Sequence, residues 1–195
     1  VYEEPLCFHA SMLRKPLSES TRRLIMSAGY FMYFAFGSNL LKERLQLKNP
    51  SAVFHCVGRL KGYALKFGLW GDYVDCRWHG GVATIEESPD EDVWGVVWKM
   101  GEDNLTSLDK QEEVDKGVYS PLEVKVETET GPIFCRTYKM NKFRPHLPSP
   151  QYKEVVCLGA QQNGLPQEYI DMLQAVETNS YAGPTILDEI KDIQK

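Results

Sequence analysis

Three short stretches of this chain combine residue types that do chemistry. The first is Phe36-Gly37-Ser38-Asn39, between the apolar run YFMYFAF (30–36) and the amphipathic stretch NLLKERLQL. A strand–glycine–helix turn aims unpaired backbone N–H groups and the positive end of a helix dipole at one point, a place that suits a carboxylate or phosphate. The same turn also serves simply to cap a helix. The second is Asp109-Lys110-Gln111-Glu112-Glu113. Such a run is ordinarily a solvated face. A carboxyl turned instead into an aromatic-lined cleft has its charged form disfavoured, which suits it to proton transfer near neutrality. Asp109, Glu112 and Glu113 all fit that role. The third is Trp78-His79-Gly80-Gly81, where His79 has no Ser or Cys nucleophile motif nearby and reads as structural.

The elements that must position these groups follow from periodicity. The run 30–36 is too short for a helix and stops at Gly37, so it reads as a buried strand. A helix then follows, capped by Ser38 or Asn39, with Leu40, Leu41, Leu45 and Leu47 apolar. Residues 52–67 read as a strand bent or bulged at Gly58 and Gly62. A polar Gly-rich loop spans 68–81. VATIEE and VWGVVWKM (93–100), joined by SPDED, read as a hairpin. Residues 102–113 look helical, and strands over 118–128 and 133–140 flank Gly131. Ser149 and Pro150 open a helix that ends at Asn163-Gly164. A further helix starts at Pro166, and a terminal one covers ILDEIKDIQ. Strands in the middle and helices at the ends predict an α+β fold on a small mixed, curved or closed sheet. Residues 1–29 read as a flexible N-terminal tail and 30–195 as one domain. Arg14, Lys15, Arg22 and Arg23 with several serines give that tail a faint transit-peptide character, but a solvated tail is the simpler reading.

Composition narrows the function. The chain has 195 residues, 43 % of them hydrophobic, and a net charge of −5, so it can build a core and lacks the basic stripe of a nucleic-acid binder. No apolar run reaches the length of a membrane span. The five cysteines, Cys7, Cys56, Cys76, Cys135 and Cys157, show neither a disulfide framework nor zinc spacing and read as free thiols of a reducing compartment. The four histidines have no metal-ligand spacing, so no metal site is expected.

The segments YFAFGSNLLKERL (33–45), NPSA (49–52), WHGGVATI (78–85), WGVVWKM (94–100), SLDKQE (107–112), SPQY (149–152) and NGLP (163–166) together resemble the vertebrate γ-glutamylcyclotransferase family. The likeness runs in consistent order over 31–195. It implies a barrel-like sheet with surrounding helices, no cofactor, a cytosolic homodimer, and a small γ-glutamyl compound as the partner. Glu112, in D-x-Q-E, falls on the family's catalytic glutamate. Tyr33, Phe34, Ala35, Phe36, Gly37, Ser38 and Asn39 fall on its substrate-binding loop, and Tyr119 and Tyr152 on its pocket tyrosines. This chain departs from the pattern at Phe36, where the family has Tyr, so a hydroxyl is lost. Glu113 replaces a smaller residue and adds a charge expected to raise the Glu112 pKa.

The implied reaction closes the γ-glutamyl group of a γ-glutamyl-amino acid to 5-oxoproline and frees the amino acid. The substrate's own α-amine is the nucleophile, Glu112 moves the protons, and the amides of Gly37 and Ser38 hold the α-carboxylate or the developing oxyanion, the former being favoured. Alternatives are a preference for γ-glutamyl-amines or glutathione, or a catalytically weakened interaction protein of the same fold.

Overall fold

The computed structural model describes residues 29–73 and 77–193. The expected tail therefore lies outside the described residues, except Gly29, whose carbonyl accepts from the Glu102 N–H at 3.2 Å.

The strand run after Gly29 forms β1, Tyr30–Ala35. Its side chains become wholly buried from Tyr33 onward, which explains the absence of polar alternation. Two long strands follow, β2 over Val53–Trp70 and β3 over Val82–Gly101. The β4–β5 hairpin joins Tyr119–Thr128 to Gly131–Met140 across Gly131, whose φ of 111° only glycine adopts readily. A short β6, Phe143–Pro145, pairs with the end of β2.

Strand pairing runs β3–β1–β5–β4–β2 and returns from β2 to β3, so five strands close into a barrel. β1 lies antiparallel to β3 from Tyr30↔Gly101 to Ala35↔Val96, and meets β5 in parallel at Tyr33↔Arg136. Closure completes at one β2–β4 pair, Arg59↔Glu127. Closing the sheet removes exposed edges. Phe34, Leu60, Ile85, Val96, Trp98 and Met100 are fully buried among the core residues.

Helices cover the barrel: α1 (Lys42–Gln46), α2 (Leu105–Gln111), α3 (Pro150–Gln162), α4 (Gln167–Gln174) and α5 (Ile186–Ile193). Among the described residues no helix is long and apolar enough to cross a membrane. Ser149 caps α3 as expected, its hydroxyl accepting from the Tyr152 N–H at 3.1 Å. This helix holds the turn after β1 in place: a Cβ on Gly159 would lie 2.4 Å from the Leu41 nitrogen, and Asn163 Nδ2 donates to the Leu40 carbonyl at 2.7 Å.

Three expectations are corrected. The stretch after Gly37 is not one capped helix. It is a 3-10 turn, Ser38–Leu40, then the five-residue α1, and neither makes a side-chain cap bond. Leu41 is extended (φ −77°, ψ 119°) and separates them. Second, VATIEE and VWGVVWKM are not a hairpin but the two halves of β3. Both pair with β2, Tyr63↔Glu87 on one side and Lys61↔Asp92 on the other. The polar SPDE segment bulges outward opposite Gly62 (φ 77°), because the long partner strand keeps both halves aligned. Third, the register shifts of β2 fall between Phe54 and Cys56 and at Gly62, and Gly58 stays in register.

Gly58 instead permits close approach at the barrel seam. A Cβ there would lie 2.3 Å from Val126 Cγ1 and 3.3 Å from the Glu127 carbonyl oxygen. Gly58→Ala is expected to destabilise the fold by about 1–3 kcal/mol through overpacking. The expected signature is a lower urea midpoint with unchanged m-value.

Candidate active site

The end of α2 places the acidic run. The Glu112 N–H closes the last turn on the Leu108 carbonyl at 3.0 Å, and Leu108 anchors the helix in the core. Glu113 then enters the left-handed region at φ 51°, so the three acids part company. Asp109 takes a two-pronged bond from Arg136, 2.7 and 2.9 Å. Glu113 pairs with Lys116 at 2.7 Å. Glu112 and Glu113 both line the cavity at the barrel mouth, but Glu113 is paired with Lys116, and Glu112 is the one bonded to the loop after β1.

Asn39 fixes its carboxyl. Asn39 Nδ2 donates to Glu112 Oε1 at 3.0 Å and to the Tyr33 hydroxyl at 3.0 Å. Its Oδ1 accepts from Gln111 Nε2 at 2.9 Å, and its backbone carbonyl from the Trp98 indole at 3.1 Å. Asn49 Nδ2 donates in turn to Gln111 Oε1 at 3.0 Å. The acid from the middle of the chain and the loop after the first strand thus meet in one hollow.

Aromatic rings wall that hollow. Tyr33 stands edge-on to Tyr138, centroids 6.0 Å apart, and Trp78 edge-on to Tyr152 at 5.0 Å. Tyr138 is held by the Asp109–Arg136 pair, donating to Asp109 and accepting from Arg136 Nε. Tyr119 donates to the Ala83 carbonyl, and the Ala83 N–H donates to the Tyr152 hydroxyl, both at 2.9 Å. Phe36, Gly37 and Ser38 complete the wall, whereas Phe34 and Ala35 face the core and lie outside it. The Ser38 backbone also bonds the Tyr152 hydroxyl. The loop leads into a 3-10 turn and a five-residue helix, which supply little dipole. Gly37 leaves no spare room: a Cβ would sit 2.9 Å from both Ala83 Cβ and the Tyr152 hydroxyl.

Burial among these rings raises the Glu112 pKa. Arg44, Arg77 and the bonds from Asn39 and Gln111 pull it back only in part. The expected effect of Glu113 is not the cause, since its charge is matched by Lys116. Burial likewise pushes Tyr152 up to about 12 and holds Tyr33 well above its usual value, so both remain neutral hydrogen-bonding groups.

His79 lies outside the cavity wall and is structural, its ring stacked on Tyr181 at 4.1 Å. Cys56, Cys135 and Cys157 are free; Cys7 and Cys76 lie outside the described residues. Among the described residues, no group of three His, Cys, Asp or Glu is placed to hold a metal ion.

Sequence reasoning missed Arg44, Arg77, Trp78 as a wall residue, and Tyr138. Arg44 carried a legible signal: it falls three and four residues after Leu41 and Leu40, on the buried face of the amphipathic stretch. Tyr138 carried none, since alternation along β5 does not reveal which barrel positions meet the mouth.

A small closed barrel with an amide-bonded, half-buried carboxyl at an aromatic mouth matches a known class of proteins. The AIG2-like family matches over residues 92–173. Over 166 residues the chain is 55 % identical to mouse γ-glutamylcyclotransferase, covering 85 % of this chain and 88 % of the mouse protein. Identity to the human γ-glutamylcyclotransferase is 53 % over the same length. A solved γ-glutamyl cyclotransferase structure superposes with a TM-score of 0.81 at 52 % identity, covering 84 % of this chain and 97 % of that one. The chain belongs to the γ-glutamylcyclotransferase family.

Two measurements test the electrostatics. Asn39→Ala removes a hydrogen bond that favours the Glu112 carboxylate, so the Glu112 midpoint in a carboxyl-carbon NMR titration is expected to move up; an unmoved or lowered midpoint contradicts the geometry. The second concerns stability. A folded-state pKa above the unfolded value means that the folded form binds the extra proton, so stability falls as pH rises between the two values and stays lowered above them. Glu112→Gln is therefore expected to raise Tm at neutral pH. The gain should vanish below the unfolded glutamate pKa, about 4.3.

Proposed function

We propose that this chain is a γ-glutamylcyclotransferase that converts γ-glutamyl-amino acids to 5-oxoproline and the free amino acid, with Glu112 as the proton carrier. The observation that carries the reading is the half-buried Glu112 carboxyl, 3.0 Å from the Asn39 amide in an aromatic cavity. The similarity to γ-glutamylcyclotransferases over most of both chains supports the same activity.

The substrate brings its own nucleophile. Its α-amine reaches the δ-carbonyl to close a five-membered ring, and holding the glutamyl chain folded can lower the barrier by about 7–11 kcal/mol in favourable cases. The amine arrives protonated, since a free α-amine in water has a pKa of about 8. The Glu112 carboxylate takes one proton and frees the lone pair. The nitrogen attacks the δ-carbon and the carbonyl opens to an alkoxide, facing the loop of Phe36 to Asn39. As the alkoxide collapses, the amide C–N bond breaks, and Glu112 gives its proton to the departing nitrogen. Glu112, a carboxylate again, takes the surplus proton from the ring nitrogen and passes it to the departed amine, which leaves as an ammonium, and the carboxylate is restored. The raised Glu112 pKa makes it a stronger base than an exposed glutamate, closer in pKa to the amine it deprotonates.

Tyr33, Tyr119 and Tyr152 line the glutamyl subsite together with Phe36, Gly37, Ser38 and Asn39. The ring of Phe36 keeps the wall closed without a hydroxyl. A cytosolic homodimer acting within glutathione metabolism completes the proposal on family resemblance, and light scattering of the purified chain checks the dimer.

Incubation with γ-glutamyl-alanine is expected to yield 5-oxoproline and alanine, and Glu112→Gln to lower kcat by about 10²–10⁴-fold. The acid limb of kcat/KM should have its midpoint above the ordinary glutamate range, because only the carboxylate takes the proton. Turnover that survives Glu112→Gln unchanged sinks the mechanism.

A further inference from the structure

Arg44 stands out among the groups that the reaction above leaves unused. It sits on α1, is only 4 % exposed, and lines the same cavity as Glu112. Its Nε is buried without a hydrogen-bond partner. No ion pair within 4.0 Å joins its guanidinium to Glu112 or to another described residue. Yet of the charges acting on Glu112 that of Arg44 is the strongest, followed by Arg77. Arg77 already has an interaction of its own. Arg44 is thus a buried cation close to the base, not bonded to it, and short of acceptors. Burying such a group unsatisfied is costly.

We propose that Arg44 binds the α-carboxylate of the γ-glutamyl group, so that Glu112 and Arg44 together grip the two charges on one carbon. The inference rests on the ring-closing function proposed above. In a glutamyl residue the ammonium nitrogen and the carboxylate carbon share the Cα and lie about 2.5 Å apart. Whatever holds the carboxylate must therefore stand beside the group that takes the ammonium proton, and Arg44 does. A carboxylate supplies the acceptor that the buried Nε lacks, and the planar guanidinium matches it with two parallel bonds. The ammonium faces Glu112 and the carboxylate faces Arg44, which fixes the substrate's handedness and the direction of the amine lone pair. The rival occupant is the carboxylate of the leaving amino acid.

Substrate analogues separate the two. With the wild-type enzyme, replacing the α-carboxylate of γ-glutamyl-alanine by a carboxamide is expected to raise KM at least tenfold. Arg44→Gln should raise KM for unmodified γ-glutamyl-alanine at least tenfold, with a smaller change in kcat. It should raise KM equally for γ-glutamyl-ethylamide, which has no leaving-group carboxylate, and add no further penalty on the α-carboxamide. Arg44→Lys should restore part of the loss. A penalty confined to γ-glutamyl-alanine and absent with the ethylamide overturns the assignment, as does a wild-type enzyme indifferent to the α-carboxamide. The latter arm needs no variant, so misfolding of Arg44→Gln leaves the proposal testable. Calorimetric titration of the wild type with 5-oxoproline and with its carboxamide separates the two claims. Preferred binding of the acid without turnover counts against the ring-closing function alone, whereas equal binding of the two counts against Arg44.

Discussion

The site is organised by an amide that spends every hydrogen-bonding group it has. Asn39 joins the loop after β1 to the end of α2 through Glu112 and Gln111, and reaches β1 through Tyr33 and β3 through Trp98. A buried polar network of this kind is rigid when fully satisfied and expensive when broken. The same residue ties elements of the barrel mouth together and holds the Glu112 carboxyl. It can serve both because the barrel brings segments 73 positions apart in sequence within bonding distance.

Around that amide the cavity sets a high base strength by exclusion of water rather than by like charge. Glu112 is opposed by two arginines and two amides, each of which favours its ionised form, and burial still outweighs them. The tyrosines answer the same environment in the opposite way: they stay neutral and bond the backbone of Ala83, Tyr152 accepting from its N–H and Tyr119 donating to its carbonyl. The wall rings therefore stay neutral, while burial lifts the pKa of the Glu112 carboxyl above the usual glutamate value. A substrate that carries its own nucleophile needs nothing more from the protein than shape, charge placement and one proton carrier.

The supporting pairs lie one layer out. Asp109 and Arg136 hold Tyr138, which packs on Tyr33. Gly159 lets α3 seat against Leu40 and Leu41, and so fixes the loop that carries Asn39. Gly95 does the same for β1 from the other side, where a Cβ would meet the Ala35 carbonyl at 2.2 Å. These close approaches explain how a loop without side-chain caps keeps one conformation.

By itself the sequence determined most of the strand and helix order, the buried first strand, the α3 cap at Ser149 and the family. Those features live in local patterns: an uninterrupted apolar run, a Ser-Pro start, and motifs in fixed order. It could not separate Asp109, Glu112 and Glu113 from residue chemistry alone, because adjacent acids differ only in where the helix end turns them. The left-handed Glu113 that makes the choice is a backbone state no local signal announced. The split of β3 into two halves on one partner was equally hidden, since a Pro–Asp segment signals a turn whether the chain reverses or merely bulges. Tertiary structure alone decided which carboxyl meets Asn39 in the cavity, what faces it, and that Arg44 lines the same cavity with its Nε unbonded among the described residues. Burial and charge proximity are properties of surfaces brought together across the barrel, and no stretch of sequence contains both sides of such a contact.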